Sequence, residues 1–425
     1  MNRRIRPRTA AATVTASALA ALLAACGSDP AQAGDQTSVD AGADQQAFTS
    51  ALAEMDPVEL KIQVLTPKES AHAKATEAYA DAIEEWSGQK ITFKIHYSGS
   101  IAATDVESAV ADGLIDIAPV YPSMAPDTFP VQGFASNFTF VNDNTPVVGT
   151  LQTISAWTEL GFDEHIVTEM QEQGLQPLLP MVVPSSNALY CTGDPTTSLA
   201  TAKGTSMRTG TPGNAAEVKA IGASSVNLPT LEVFEGLQRR TVDCVVTGWA
   251  VPMSFGLAEV TDAWMLDPSV QFTGSSETLA IGKDTWDELP LAARQLMWDR
   301  LDVYLTSYVD NNMFATMKGA LAQAEEHGVA LHEYDDDLTK SLTDHQDGKL
   351  RDAAEGAPEG FDGTAFVERT TKTHEKWKKA ITDLGYDDEL TWEEFRDGEA
   401  GEVDVQPVVD ALVEDVLATH RPTTD

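Results

Sequence analysis

Positive charge is scarce in this sequence: 28 lysines and arginines face 66 acids, for a net charge of −38. A field of that sign disfavours non-specific binding to nucleic acid or anionic membrane surfaces, and it repels small anions. Any site for an anion must therefore be a local positive exception. Metal-binding patterns are missing too. The eight histidines are scattered and there is no C-x-x-C or His-x-His spacing, so no structural zinc and no other cofactor is expected. G-x-S-x-G, H-E-x-x-H, P-loop and G-x-G-x-x-G signatures are all absent. Nothing places a histidine beside Cys191 or Cys244 to make a nucleophile. Carboxylates are too plentiful for any one pair to mark an acid–base dyad. What remains, 425 residues that are 42% hydrophobic, is enough for two ordinary domains with sizeable cores.

Long apolar runs are also missing, apart from a modest one at the N-terminus. "MNRRIRPR" is a basic leader, and "TAAATVTASALAALLAAC" is too short and too weakly hydrophobic for a membrane span. Its end, Leu23-Ala24-Ala25-Cys26-Gly27, resembles the lipobox of bacterial lipoprotein signals. That resemblance implies cleavage before Cys26 and a lipid on its thiol, with a plain secretory signal as the alternative. Removing residues 1–25 takes away four arginines and no acid, moving the net charge from −38 to −42. Residues 26–56, rich in Ala, Gly, Asp, Gln and Ser, read as a flexible tether. With Cys26 lipidated, Cys191 and Cys244 remain. An even pair in an exported chain favours a disulfide, two buried thiols being the other reading.

From Val58 onward strand and helix patterns alternate. "LKIQVL", "ITFKIHY" and "LIDIAPV" are strand-like, and "AHAKATEAYADAIEEW" puts Tyr79, Ile83 and Trp86 on one helical face. A second round follows with "GLQPLLPMVV", "ALYC", "TSMR" and the buried strand "TVDCVVTGW". Between the last two, "NAAEVKAIG" is helical up to Gly222. "TLEVFEGLQRR" predicts a helix capped by Thr230, with Leu231, Phe234 and Leu237 on its buried face. A long helical pattern occupies residues 290–326, and "HEKWKKAITDLGY" predicts a helix burying Trp377, Ile381 and Leu384. Strands separated by helices of this length give an α/β class with parallel sheets and helical crossovers.

The most specific stretch is "KGTSMRTGTPGNAAEVKAIGASSVNLPTLEVFEGLQRRTVDCVVTGWAVPMSFGLAEV", residues 203–260. It resembles the core signature of the substrate-binding proteins of tripartite ATP-independent periplasmic (TRAP) transporters, a "GLKIR" strand followed by "EVYxALQxGxVDG" and a helix ending in "EV". The matches are Lys203-Gly204, Arg208, Gly222-Ala223, Glu232-Val233-Phe234, Leu237-Gln238, Val242-Asp243 and Glu259-Val260. "YSGSIAATDVESAVADGLIDIA" and "KDTWDELPLAARQLM" are similar to further segments of that family.

The resemblance implies a two-domain, type II periplasmic-binding-protein-like fold with hinge strands and a domain-spanning helix. Domain I is then residues 57–185 plus 274–313, and domain II is residues 186–273 plus 314–425. It also implies a receptor without chemistry of its own, lipid-anchored outside the cytoplasm through Cys26. Such a receptor binds a small organic acid in the interdomain cleft and passes it to TRAP membrane subunits, with no nucleic-acid partner. Arg208 carries the family's bidentate pair to the ligand carboxylate. Tyr121, Thr247, Thr211, Thr66 and Trp249 are the further candidate contacts. The sequence departs from the family in having Cys244 after Val242-Asp243, Thr247 where asparagine is frequent, and no basic residue in "SSNALYC". A ligand with one carboxylate and a less charged remainder fits that pattern. A Cys191–Cys244 bond would brace the sheet presenting Arg208 and Thr247 if the two strands are neighbours. A binding protein of an ATP-driven importer, a ligand sensor for a signalling receptor, and an exported enzyme on the same scaffold are the alternatives.

Overall fold

A computed structural model describes residues 37–184, 187–387 and 389–424. Cys26, the leader and the first part of the expected tether lie outside these residues. Eleven strands are described: β1 Val58–Gln63, β2 Ile91–His96, β3 Ile117–Val120, β4 Leu175–Val182, β5 Ala188–Cys191, β6 Ser206–Thr209, β7 Ser224–Asn227, β8 Cys244–Thr247, β9 Ala263–Met265, β10 Glu277–Gly282 and β11 Ala330–His332. They form two sheets, ordered β2-β1-β3-β10-β4 and β11-β9-β5-β8-β6-β7. Each sheet centres one lobe.

The sheets are mixed rather than purely parallel. β10 runs antiparallel to both β3 and β4, and β5 antiparallel to both β8 and β9. The reason is the path of the chain: β5 and β10 are entered directly from the opposite lobe, not through a helical crossover within their own. The two crossing segments lie side by side, with the Phe272 N–H on the Asn187 carbonyl and the Asn187 amide on the Thr273 carbonyl.

The helices that position the site follow from simple local rules. Gln45–Ala51 (α1) begins at Asp44, whose carboxylate accepts the Ala47 N–H. It buries Phe48, and the following Leu52 is buried as well. Val39 is also buried, so residues 37–56 are folded onto the body and are not a tether. Ala71–Trp86 (α2), capped by Ser70, buries Tyr79 and Ile83 as its periodicity requires. Val148–Gly161 (α3) is buried almost all round, because it runs between the first sheet and the C-terminal part of the chain. Pro212–Ala220 (α4) stops before Gly222, which takes φ +84°, a conformation that suits glycine.

The long helical pattern is realised as three helical pieces, Leu291–Asp299, Leu301–Ser307 and Thr316–His327, joined through a wider π-helical stretch at Tyr308–Ala315. The first pieces pack on α2 in the first lobe and the last packs on the Ala250–Phe255 helix of the second. The helix therefore spans both lobes.

Beyond it, Asp336–Arg351 (α5) packs on α4 in the second lobe. Gly363–Asp383 (α6) instead packs on α3. The expectation that residues 314–425 belong wholly to domain II therefore fails after α5. The cause is visible in the contacts: Trp377 is buried with its ring N–H on Glu159, and the Gln152 amide donates to the His374 carbonyl. Leu384 lies past the end of α6 and is exposed. The last residues return to the long helix, where Arg421 makes a two-point ion pair with Asp299. Gln295 joins both ends of the described chain, its carbonyl accepting the Val39 N–H and its amide donating to the Pro422 carbonyl.

His374 gives this C-terminal wrap a pH signature. Packed edge-on against Trp157, it is fully buried, and burial lowers its pKa from 6.5 to about 4. As pH falls the unfolded chain takes up this proton first. Stability from this group is thus complete above about pH 6.5 and declines towards pH 4, at about 1.4 kcal/mol per unit. Urea melts of His374→Gln should show a shallower acid decline than wild type over that window, and an unchanged slope would contradict this account.

Candidate functional site

Ligands of open α/β sheets bind outside the carboxyl ends of the strands. In the second sheet β6, β7 and β8 run parallel and end at Thr209, Asn227 and Thr247. Arg208 is the third residue of β6, flanked by Val226 on one side and Val245 on the other. The start of its strand is fixed by Asp243, whose Oδ2 accepts both the N–H and the hydroxyl of Ser206, at 2.7 and 2.9 Å.

The Arg208 side chain is only 8% exposed. Its Nε donates to the Leu228 carbonyl and its Nη2 to Thr230 Oγ1, both at 3.0 Å. No carboxylate pairs with it among the described residues, and burial lowers its pKa from the ordinary value. It nonetheless stays charged, as guanidinium does in proteins. The two bonds occupy the Nε–Nη2 side of the fork. Its end, formed by Nη1 and the second Nη2 proton, is left for an acceptor. A buried fork offering two parallel N–H groups matches a carboxylate end-on.

The other sequence candidates divide between the lobes. Thr247 is buried at the last position of β8 and shares a face with Val245, hence with Arg208. Thr211 caps α4, its hydroxyl accepting the Asn214 N–H. Tyr121 and Thr66 follow the ends of β3 and β1 in the first lobe. The Thr66 hydroxyl accepts a hydrogen bond from Ser70, which caps α2. The Tyr121 hydroxyl donates to Glu277 at 2.9 Å. Trp249 is a core residue: it is 2% exposed and packs on Tyr190, Trp264 and Trp392 with ring centroids 5.0–6.2 Å apart.

Sequence reading missed Thr230 and Glu277. Thr230 does not cap the following helix, since its hydroxyl is taken by Arg208. Leu231 next to it is 81% exposed rather than buried. Glu277 had one visible signal, an acid heading the apolar run "TLAIG". One contact connects the lobes near α4, and another holds the start of β10 within the first lobe. The N-terminal turn of α4 lies against Asn137 and Thr273, and the Ser136 and Ser276 hydroxyls meet at 2.8 Å.

Cys191 and Cys244 are bonded, directly opposite each other on β5 and β8 with Cα atoms 4.1 Å apart. Met207 neighbours Cys244 on the far side, so the bond braces the strand next to Arg208. A depression of about 540 Å³ lies elsewhere, between Phe134, Phe138, His345 and Lys349, and Arg208 does not line it. Among the described residues no cluster of His, Cys, Asp or Glu is placed to hold a metal, and no helix is long and apolar enough to cross a membrane.

The chain thus has two lobes joined by crossing segments, with a buried, acid-free arginine near the carboxyl edge of the second sheet. Residues 62–355 match the model of the bacterial extracellular solute-binding proteins, family 7. The chain belongs to that family, the receptors of TRAP transporters, which act outside the cytoplasm and are not enzymes. A solute-binding protein of Albidiferax ferrireducens is 23% identical over 220 residues, a match spanning 52% of this chain and 62% of that protein. Among solved structures, a marine metagenome TRAP solute-binding protein specific for aromatic acids, in complex with 3-hydroxybenzoate, superposes with TM-score 0.63. It is 18% identical and is matched over 76% of this chain and 99% of its own. A TRAP solute-binding protein of Rhodoferax ferrireducens with copurified benzoate gives TM-score 0.62, also at 18% identity and over 76% and 99% of the two chains. One from Desulfovibrio salexigens with bound orotic acid gives 0.61 at 16% identity, over 75% and 99%.

Two outcomes follow from this geometry. A Cβ added at Gly210 would lie 3.3 Å from Arg208 Nη1. Gly210→Ala should therefore weaken carboxylate binding by roughly tenfold, as about 1.4 kcal/mol of crowding would, with the melting temperature of the ligand-free protein little changed. Replacing both Cys191 and Cys244 with serine should lower the unfolding free energy by roughly 3 kcal/mol in urea melts. Wild type with and without reductant should bracket the same difference.

Proposed function

We propose that this protein is a lipid-anchored receptor that closes on a monocarboxylate and delivers it to TRAP membrane subunits. The observation that carries the reading is the buried Arg208 fork with its end free and no protein carboxylate beside it. In a chain of net charge −38, such a group is the local positive exception that an anion site requires. Closure of the lobes would exclude water and strengthen the pair. The ligands named for related structures, 3-hydroxybenzoate, benzoate, pyroglutamate, D-glucuronate and orotic acid, are all acids, which supports the same class here. Thr247 and Thr211 are the proposed neighbours of the carboxylate, and Tyr121 and Thr66 are the proposed contacts of the opposite lobe. Cys26 carries the lipid in this reading.

A thermal-shift screen of mono- and dicarboxylates tests it. Ligand at 100 times Kd adds about 2.7 kcal/mol of apparent stability, which is readily seen as a raised Tm. Arg208→Ala should abolish the shift, and Arg208→Lys, which keeps the charge but not the fork, should cost roughly 100-fold in affinity. A hit that survives unchanged in Arg208→Ala would overturn the anchor.

A further inference from the structure

The first lobe holds the electrostatic complement of Arg208. Glu277 opens β10, where the chain arrives from the second lobe, and it is 3% exposed. Its Oε2 accepts the Tyr121 hydroxyl, and its nearest basic group is the His72 imidazole, with Nε2 at 3.7 Å, beyond hydrogen-bond length. Its Oε1 has no protein donor among the described residues. Tyr304 and Tyr308, from the long helix and its π-helical stretch, complete the surroundings. Their rings stack at 5.7 Å, and Tyr308 meets the His72 ring edge-on at 5.9 Å. The Tyr304 hydroxyl is buried without a partner, and the Tyr308 hydroxyl has only the Asn312 side chain near it, without a well-formed bond. Burial and the Glu277 charge raise the pKa values of Tyr121, Tyr304 and Tyr308 well above the ordinary value, so all three stay neutral.

A buried carboxylate costs several kcal/mol unless it is paired, and so does a buried guanidinium. Other buried acids of this chain are satisfied: Glu217 accepts from the Thr273 N–H and hydroxyl and from Gln346, and Asp267 from Ser269 and the Tyr334 N–H. Glu277 and Arg208 are not, and a chain of neighbouring residues connects them. Arg208 leads through Gly210 to the first turn of α4, which touches Thr273, and Thr273 leads through Ser276 to Glu277.

Resting on the carboxylate reading above, we propose that the ligand is a zwitterion: its carboxylate pairs with Arg208, and its ammonium group sits at Glu277 among Tyr121, Tyr304 and Tyr308. An ammonium supplies the three N–H donors that Glu277 Oε1 and the two tyrosine oxygens can accept, and its charge lies beside aromatic faces. A zwitterion also carries no net charge, so it escapes the repulsion that a protein at −38 exerts on an anion. A second carboxylate at this end would meet Glu277 and be rejected.

Isothermal titration of the full chain against two matched series decides the matter. One series is amino acids, from 2-amino acids to 6-aminohexanoate. The other is the same acids with hydrogen or hydroxyl in place of the amine. The expected result is a best binder that carries the ammonium and binds at least 30-fold tighter than its amine-free counterpart. Glu277→Gln should erase that difference, and Tyr304→Phe should narrow it several-fold. Should Glu277→Gln fail to fold, as judged by circular dichroism, Tyr304→Phe carries the test. Amine-free acids that bind as well as the amino acids, or no binding by any amino acid, would overturn the proposal. In the first case, dependence on Arg208 would leave the carboxylate reading standing. Binding that is indifferent to Arg208→Ala would remove that reading as well.

Discussion

At the carboxyl edge of the second sheet one guanidinium is kept buried, charged and, among the described residues, short of an acid. In a chain with 66 carboxylates that requires active exclusion. It is achieved by giving the Nε side of Arg208 only neutral acceptors, a backbone carbonyl and a threonine hydroxyl, while apolar Val226 and Val245 flank its strand. The neutral partners orient the fork without neutralising it. An aspartate in place of Thr230 would satisfy the charge and leave the fork nothing to offer the carboxylate proposed above. Asp243, the nearby acid, is turned instead onto Ser206, where it fixes the strand rather than the arginine.

A second constraint lies at the hinge. The crossing segments carry backbone out of both sheets, and buried polar backbone needs partners. Glu217 serves that need for Thr273, accepting from both its N–H and its hydroxyl while also taking the Gln346 amide from α5. A single carboxylate thus ties α4, the hinge and the C-terminal helix into one body. Asn137 touches the same region from the first lobe.

Much of this was legible in the sequence. The helix at 71–86 and the strand "ALYC" follow from period and composition alone, and Arg208 stood out as a basic residue in an acidic chain. The cysteine pair was readable by arithmetic, but its position across β5 and β8 was not. What failed, failed for physical reasons. Thr230 has the composition of a helix cap, and only tertiary structure shows that a guanidinium claims its hydroxyl. Leu231 has helical spacing, yet the helix begins two residues later, so the spacing has no face to act on. Glu277 showed only as an acid heading an apolar run, because its setting depends on which groups do not surround it in the fold. Sheet direction was misjudged because a strand entered from another lobe looks, in sequence, like a strand entered from a helix.

In the C-terminal region charge and burial occur side by side. Residues 387–404 are acid-rich, yet Trp392 and Phe395 within them are buried, and Trp392 packs on Trp249. Trp249 closes the chain of argument. It lies two residues past Thr247, the end of β8, and it is buried against Tyr190, Trp264 and Trp392. Counted among the candidate ligand contacts, Trp249 is instead a core residue against which part of the C-terminal region packs. Trp392 packs on Trp249 at 5.0 Å and donates its ring N–H to the Asn144 carbonyl, so this part of the C-terminal region is tied to both lobes by apolar and polar contact together.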